Sequence, residues 1–351
     1  MKAIQIEQRI NWLDGWRAIA VAIVILSHVS GVYNWRFELP GKLGVYIFFS
    51  ISGYIVTRLL LKERAASGRI DISGFYLRRA ARILPPLVIF IAACLLLGRG
   101  GMDGALRSAT FTCNVAIGPG DCGWIFGHTW SLAFEEQYYL LLPLFLAGRR
   151  RWLFALTIPL ALAPFIFPLN FIGRIGFLQI YMLLGLGAAV AANEKRAFGL
   201  LTKVPSWVAI ALLALSGAWI ILPPGLIQML TGTLVPFAVV VSVFALPMRS
   251  QIARLILASV PMRTVGLWSY TLYLWQQLAL TTPPPVPVVI GLSLAMGLAA
   301  LSHSTIEKWM RDWAKQRHYN RSDAQGKGVP STSGNRKEAL PHARGDQPRK
   351  C

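Results

Sequence analysis

The most versatile proton carrier in the chain is His28, which stands in an apolar run from Trp12 to Val32. It follows Asp14 by fourteen residues, about 21 Å along a helix at 1.5 Å per residue. A neutral imidazole takes a proton from a hydroxyl at ambient pH, which few side chains do; the other reading of His28 is a hydrogen-bonded structural group. A second cluster, His128-Thr-Trp130-Ser131-Leu-Ala-Phe-Glu135-Glu136-Gln137, sets two adjacent carboxylates at the opening of another apolar run. At a depth matching His28, Glu135 or Glu136 could fix the tautomer of an imidazole and stabilise the imidazolium; alternatively they mark the water interface, with Trp130, Tyr138 and Tyr139 as an aromatic belt. In a third cluster, Phe75-Tyr-Leu-Arg78-Arg79-Ala-Ala-Arg82-Ile-Leu-Pro85-Pro86, Arg79 and Arg82 share one helix face. Their guanidinium forks suit phosphate, unless they are ordinary anchors on the basic side of a bilayer.

The elements that must hold these groups are membrane helices. Of the 351 residues, 55% are hydrophobic and 14% charged, against about 25% charge in an ordinary soluble domain. Mean hydropathy is +0.52, which argues against reading the net charge of +20 as a nucleic-acid surface. Crossing the hydrocarbon needs about twenty apolar residues. Ten stretches meet this: 12–32, 43–61, 83–98, 130–147, 152–168, 175–192, 205–222, 226–246, 265–281 and 285–305. The fold expected is all-α, a polytopic membrane helical bundle of about ten transmembrane helices. With the N-terminus inside, all of the 35 Lys and Arg except Arg36, Lys42, Arg99, Arg107 and Arg174 fall on the cytoplasmic side, so both termini are expected there. The first run is longer than a signal-peptide core and lacks a small-residue cleavage site, and is read as a retained span. Residues 1–312 form the membrane domain. Residues 313–351, rich in Gly, Ser, Pro and Lys/Arg, form a basic tail that cannot bury a core and is expected to be disordered.

Cys94, Cys113, Cys122 and Cys351 include no CxxC pair, so no metal site is expected. Cys113 and Cys122 fall in one outer loop, where they could form a disulfide in an oxidising compartment.

In order along the chain stand Leu13-Asp-Gly-Trp-Arg-Ala-Ile-Ala-Val ending at His28, Gly44-Val-Tyr-Ile-Phe-Phe-Ser-Ile-Ser-Gly53, the Phe75–Pro85 arginine motif and His128-Thr-Trp-Ser-Leu-Ala-Phe-Glu-Glu-Gln. Together these resemble the acyltransferase family 3 membrane proteins over about residues 10–312. The resemblance implies a ten-span enzyme of a bacterial inner (plasma) membrane that moves an acyl group, commonly acetyl from acetyl-CoA, to a hydroxyl of a cell-surface or secreted carbohydrate or glycoside. It assigns the essential histidine to His28, the Arg-x-x-Arg pair to Arg79 and Arg82, and the acceptor-side stretch to Trp130, Ser131, Glu135 and Glu136. Two positions depart from the family pattern: Tyr46 stands where an acidic residue is frequent, and Gln276, after Tyr273-Leu-Trp275, where a histidine is frequent. Gln276 is neither acid nor base and is left as a hydrogen-bonding contact. Glu307 matches a recurrent glutamate, with an end-cap or salt-bridge role.

The expected arrangement sets acyl-CoA on the cytoplasmic side, its phosphates on Arg79 and Arg82, and its pantetheine arm reaching His28, which activates an acceptor hydroxyl from the outer side. The other partner is membrane lipid; no nucleic acid is expected. Direct transfer and an acyl-enzyme on Ser52 or Ser131 are both open. The alternative function is a polytopic transporter or lipid-linked glycan flippase, to which a few buried polar groups among ten helices also correspond.

Overall fold

The computed structural model describes residues 10–33, 39–115, 122–147, 157–160, 162, 173–221, 232–280, 288–302, 304–305, 309–310 and 313, and among these the regular elements are all helical. In chain order they are α1 (Asn11–Val32), α2 (Gly41–Ser67), α3 (Ile72–Leu96), α4 (Met102–Ala109), α5 (Gly123–Gly127), α6 (Trp130–Ala147), α7 (Gly173–Ala192), α8 (Glu194–Leu201), α9 (Ser206–Ile221), α10 (Val235–Arg249), α11 (Gln251–Leu257), α12 (Val260–Leu280) and α13 (Val288–Ser302). Most of the expected spans coincide with one helix each. The stretch 152–168 falls largely outside the described residues, as do Glu307, Cys351 and nearly all of the basic tail.

By length and apolarity α1, α2 and α3 can each cross a membrane, and counting the bent pairs α7–α8 and α10–α11, which turn through 104° and 103°, gives up to five such spans among the described residues. At 16 and 15 residues, α9 and α13 are shorter than the roughly 20 residues of a full crossing. The 21-residue α12 is long enough, but carries Ser269, Thr271, Gln276 and Gln277, all buried. These polar residues face the interior of the bundle.

One element begins earlier than its sequence pattern suggests. Pro85 and Pro86 lie inside α3, whose start is Asp71: its side chain accepts a hydrogen bond from the Gly74 amide. The arginine motif is therefore continuous with the apolar part of the helix. The prolines remove donors to the carbonyls of Ala81 and Arg82, and the Tyr270 hydroxyl of α12 donates to the neighbouring Ile83 carbonyl at 2.8 Å, which ties this segment to α12.

The central layer is α1 packed between α2 and α12, with α7 on the far side of α2. Close approach depends on two glycines. A Cβ on Gly53 of α2 would collide with the Leu184 backbone of α7, and one on Gly266 of α12 with the Asp14 backbone of α1. The main core joins α1, α2, α6, α7 and α10, and a second core joins α3, α4, α5 and α12 around Phe90, Phe126 and Leu274.

Cys113 and Cys122 form a disulfide, closing the segment between α4 and α5. Its flank is anchored to α6: Gln137 Nε2 donates to the Phe111 carbonyl at 3.0 Å, and the Asn114 amide donates to Gln137 Oε1 at 2.7 Å. Phe111 has φ 54°, a left-handed conformation uncommon for a bulky residue.

Candidate active site

His28 lies near the C-terminal end of α1, half-buried, in the wall of a cavity of about 680 Å³ at the disulfide end of the bundle. Lys42 and Val45 of α2, Trp124 of α5, His128, Trp130, and Tyr273 and Gln277 of α12 also line it. The Trp124 ring meets the imidazole edge-on at 5.6 Å between centroids. Only Gly123 separates this tryptophan from Cys122 of the disulfide, so the covalent closure adjoins one wall of the cavity.

His128 is buried against Phe90 and Tyr273, with ring centroids 5.6 and 5.2 Å away. In the amide orientation that satisfies both of its ends, Gln277 donates to His128 Nδ1 and to the Trp124 carbonyl, the latter at 2.7 Å. With Nδ1 as acceptor, the neutral ring carries its proton on Nε2. The Tyr273 hydroxyl donates to the His128 carbonyl at 2.8 Å and lies 2.8 Å from Ser131 Oγ. Ser131 is thus bound into a chain of three residues, and Trp130 reaches the cavity wall.

A narrower chamber of about 80 Å³ lies deeper, lined by Arg17, Val45, Phe48, Phe49, Ser52, Ser131, Leu132, Glu135, Ser269, Tyr270 and Tyr273. Val45 and Tyr273 belong to the walls of both cavities. The Ser52 side chain is within hydrogen-bonding reach of Glu135.

The expected meeting of Glu135 or Glu136 with His28 at one depth is replaced by another pairing. Arg79 Nε lies 3.0 and 3.1 Å from the two carboxylate oxygens of Glu136 and its Nη2 2.7 Å from one of them, with Glu135 at 3.9 Å. The guanidinium also stacks on the Tyr139 ring, 3.5 Å from its centroid. The reason is helical rise: α6 starts at Trp130, so its carboxylates are carried about 8–9 Å beyond the cavity rim, where the N-terminal extension of α3 meets them. Arg79, expected to face water at the basic end, is turned into the bundle and half-buried, its side chain 16% exposed. Arg82 follows on the same helix, half-buried, one turn nearer the disulfide end.

Tyr46 donates to Gln179 Oε1 at 2.5 Å, and Gln179 donates to the Gly232 carbonyl at 2.7 Å. The acidic position of the motif is here a buried link between α2 and α7, away from both cavities. Among the described residues no group of three or more His, Cys, Asp or Glu is arranged to hold a metal ion.

Sequence reasoning missed Arg17, Ser269 and Tyr270 of the deep chamber and the joint wall made by Tyr273. A buried polar residue on an otherwise apolar helix was the available signal, but α12 is so rich in hydroxyls and amides that pattern alone does not single one out.

The family model described as Acyltransferase domain matches residues 10–301. The chain belongs to acyltransferase family 3. The OatA O-acetyltransferase of Staphylococcus aureus (strain NCTC 8325 / PS 47) is 34% identical over 154 residues, which cover 38% of this chain and 24% of that protein. The OatA of Staphylococcus aureus (strain COL) matches at the same identity and coverage. A further protein of strain COL whose name carries the term O-acetyltransferase is 35% identical over 149 residues, again 38% of this chain and 24% of its own length. The acyltransferase family 3 chain thus spans about a quarter of the length of these curated relatives. No solved structure matches it. With this membership and its apolar helices, the chain is a membrane protein.

Proposed function

We propose that the chain is an integral-membrane O-acyltransferase that moves an acetyl group from acyl-CoA to a hydroxyl of a carbohydrate or glycoside. The observation that carries this reading is the placement of His28 in a roomy, partly polar cavity that shares Tyr273 and Val45 with a deeper, narrow chamber. An acceptor sugar fits the first and a slender thioester arm the second, and the two would meet at the shared wall.

His28 acts as general base. It takes the proton of the acceptor hydroxyl, the oxygen attacks the thioester carbonyl, the C–S bond breaks, and the proton passes to the departing CoA thiolate. Trp130 offers a flat apolar face to a sugar ring, and Ser131 lines the deeper chamber beside the shared Tyr273. Glu135, beside Ser52 and Arg17, offers acceptor oxygens to the amide N–H groups of the pantetheine arm. Arg82 holds CoA phosphate, whereas Arg79, committed to Glu136, positions the helix that carries Arg82. The bundle lies in a bacterial plasma membrane with ten spans and both termini cytoplasmic, so that donor and acceptor approach from opposite faces.

The test is acceptor-dependent release of free CoA by purified protein in lipid nanodiscs supplied with acetyl-CoA and candidate glycans. His28→Ala at equal abundance is expected to lower the rate by about 100- to 10,000-fold, the range of general-base catalysis. Wild-type rates in that variant would remove the assignment. Movement of a glycan across the bilayer without covalent change would replace the enzyme by a transporter.

A further inference from the structure

Gln276 is fully buried, yet neither its Oε1 nor its Nε2 has a hydrogen-bond partner. His28 Nδ1 is likewise buried and unpartnered, and the two side chains are close enough to interact. Three orphaned polar atoms on two interacting side chains, from helices that pack tightly through Gly266, are costly in an apolar interior. The Oε1 of Gln276 is an acceptor of the kind that the proton on Nδ1 requires.

We propose that Gln276 is the positioning residue of the base: its side-chain oxygen accepts Nδ1–H of His28, which fixes the tautomer with a free lone pair on Nε2 for the acceptor hydroxyl. This rests on the reading of His28 as the general base. A neutral imidazole has one donor nitrogen and one acceptor nitrogen, and the hydrogen bond on one decides the role of the other. A carboxylate is the usual orienting group, but Glu136 is bound to Arg79 and Glu135 lines the deeper chamber. An amide supplies the same acceptor without bringing a charge into the bundle. Among the described residues, the titratable and charged groups that line the cavity around His28 are Lys42 from α2, His128 from the α5–α6 link and Tyr273 from α12, and none of these three is a carboxylate. An amide partner adds no counter-charge to the transient imidazolium, so it does not hold the proton back from the leaving thiolate.

The experiment compares Gln276→Leu and Gln276→Glu with the parent protein in nanodiscs, reading kcat, KM for acetyl-CoA, thermal midpoint, and the 15N shifts of labelled histidine. Gln276→Leu is expected to lower kcat by about 100-fold through loss of the productive tautomer, to leave KM within about twofold, and to change the midpoint little, because the unsatisfied Nε2 is removed together with the Oε1 hydrogen bond to His28. The His28 signals should change from a single Nδ1-protonated form to a mixture. Gln276→Glu should retain more activity than the leucine variant, with the acid limb of its kcat profile moved upward by about one pH unit because a carboxylate favours the imidazolium. Unchanged kcat and unchanged 15N shifts in Gln276→Leu, or a loss of kcat no larger than the loss of folded protein, would overturn the inference. If His28→Ala is inactive while Gln276→Leu is fully active, only the positioning role falls. If His28→Ala is fully active, the base assignment itself falls.

Discussion

Arg79 and Glu136 form a bidentate ion pair that joins α3 to α6, while the neighbouring Glu135, 3.9 Å from the same guanidinium, also lines the deep chamber. Two adjacent carboxylates thus have different tasks. Breaking a buried pair from one side strands the other charge, at a cost of about 3–5 kcal/mol. Glu136→Ala and Arg79→Ala are each expected to lose that much stability in denaturant unfolding, and the exchanged pair R79E with E136R should recover part of it. Glu135→Gln should leave stability nearly unchanged and lower acyl transfer instead.

Arg82 and Arg79 separate in the same way. Arg82→Ala is expected to raise KM for acetyl-CoA about 10- to 100-fold, the effect of losing one charge-assisted hydrogen bond of about 1.5–3 kcal/mol. Titration calorimetry with desulfo-CoA should show a matching loss of affinity. Equal affinities for the variant and the parent would take the phosphate role from this residue.

Gly266 sets the distance between α1 and α12. Gly266→Ala places a methyl group against the Asp14 backbone, and overpacking of this kind costs about 1–3 kcal/mol. Because α12 also carries Tyr273 and Gln276, turnover should fall further than the loss of folded protein explains, measured as kcat per folded molecule.

Opening the Cys113–Cys122 bridge should loosen the wall that carries Trp124. Cys113→Ser with Cys122→Ser is expected to lose about 2–3 kcal/mol and to raise KM for the acceptor more than KM for acetyl-CoA. Steady-state kinetics with each substrate varied separately distinguishes the two effects.

Much of this organisation was legible in the residues themselves. Long apolar runs locate α1, α2 and α6 because hydrocarbon admits few charges, and the sequence alone puts Cys113 and Cys122 in one loop, where they form the disulfide. The start of α3 was not legible, because Pro85-Pro86 imitates a helix opening while the Asp71 cap is a weaker local signal. The pairing of Glu136 was hidden for a related reason. A carboxylate six residues into a helix points to whatever the neighbouring helix presents, and that depends on how far α3 extends. Gln276 looked inert because an amide cannot titrate; only its burial without a partner beside His28 gives it a role.

Tyr273 and Val45 stand between a cavity at one end of the bundle and a chamber leading toward the other. Under the proposed two-sided entry of donor and acceptor, the protein has much of the anatomy of a pore, with the Tyr273 phenol ring in the wall between the two spaces. Tyr273→Ala is expected to open that wall, and proteoliposomes holding a pH-sensitive dye would register the result as proton leak through the position whose side chain ties Ser131 to His128.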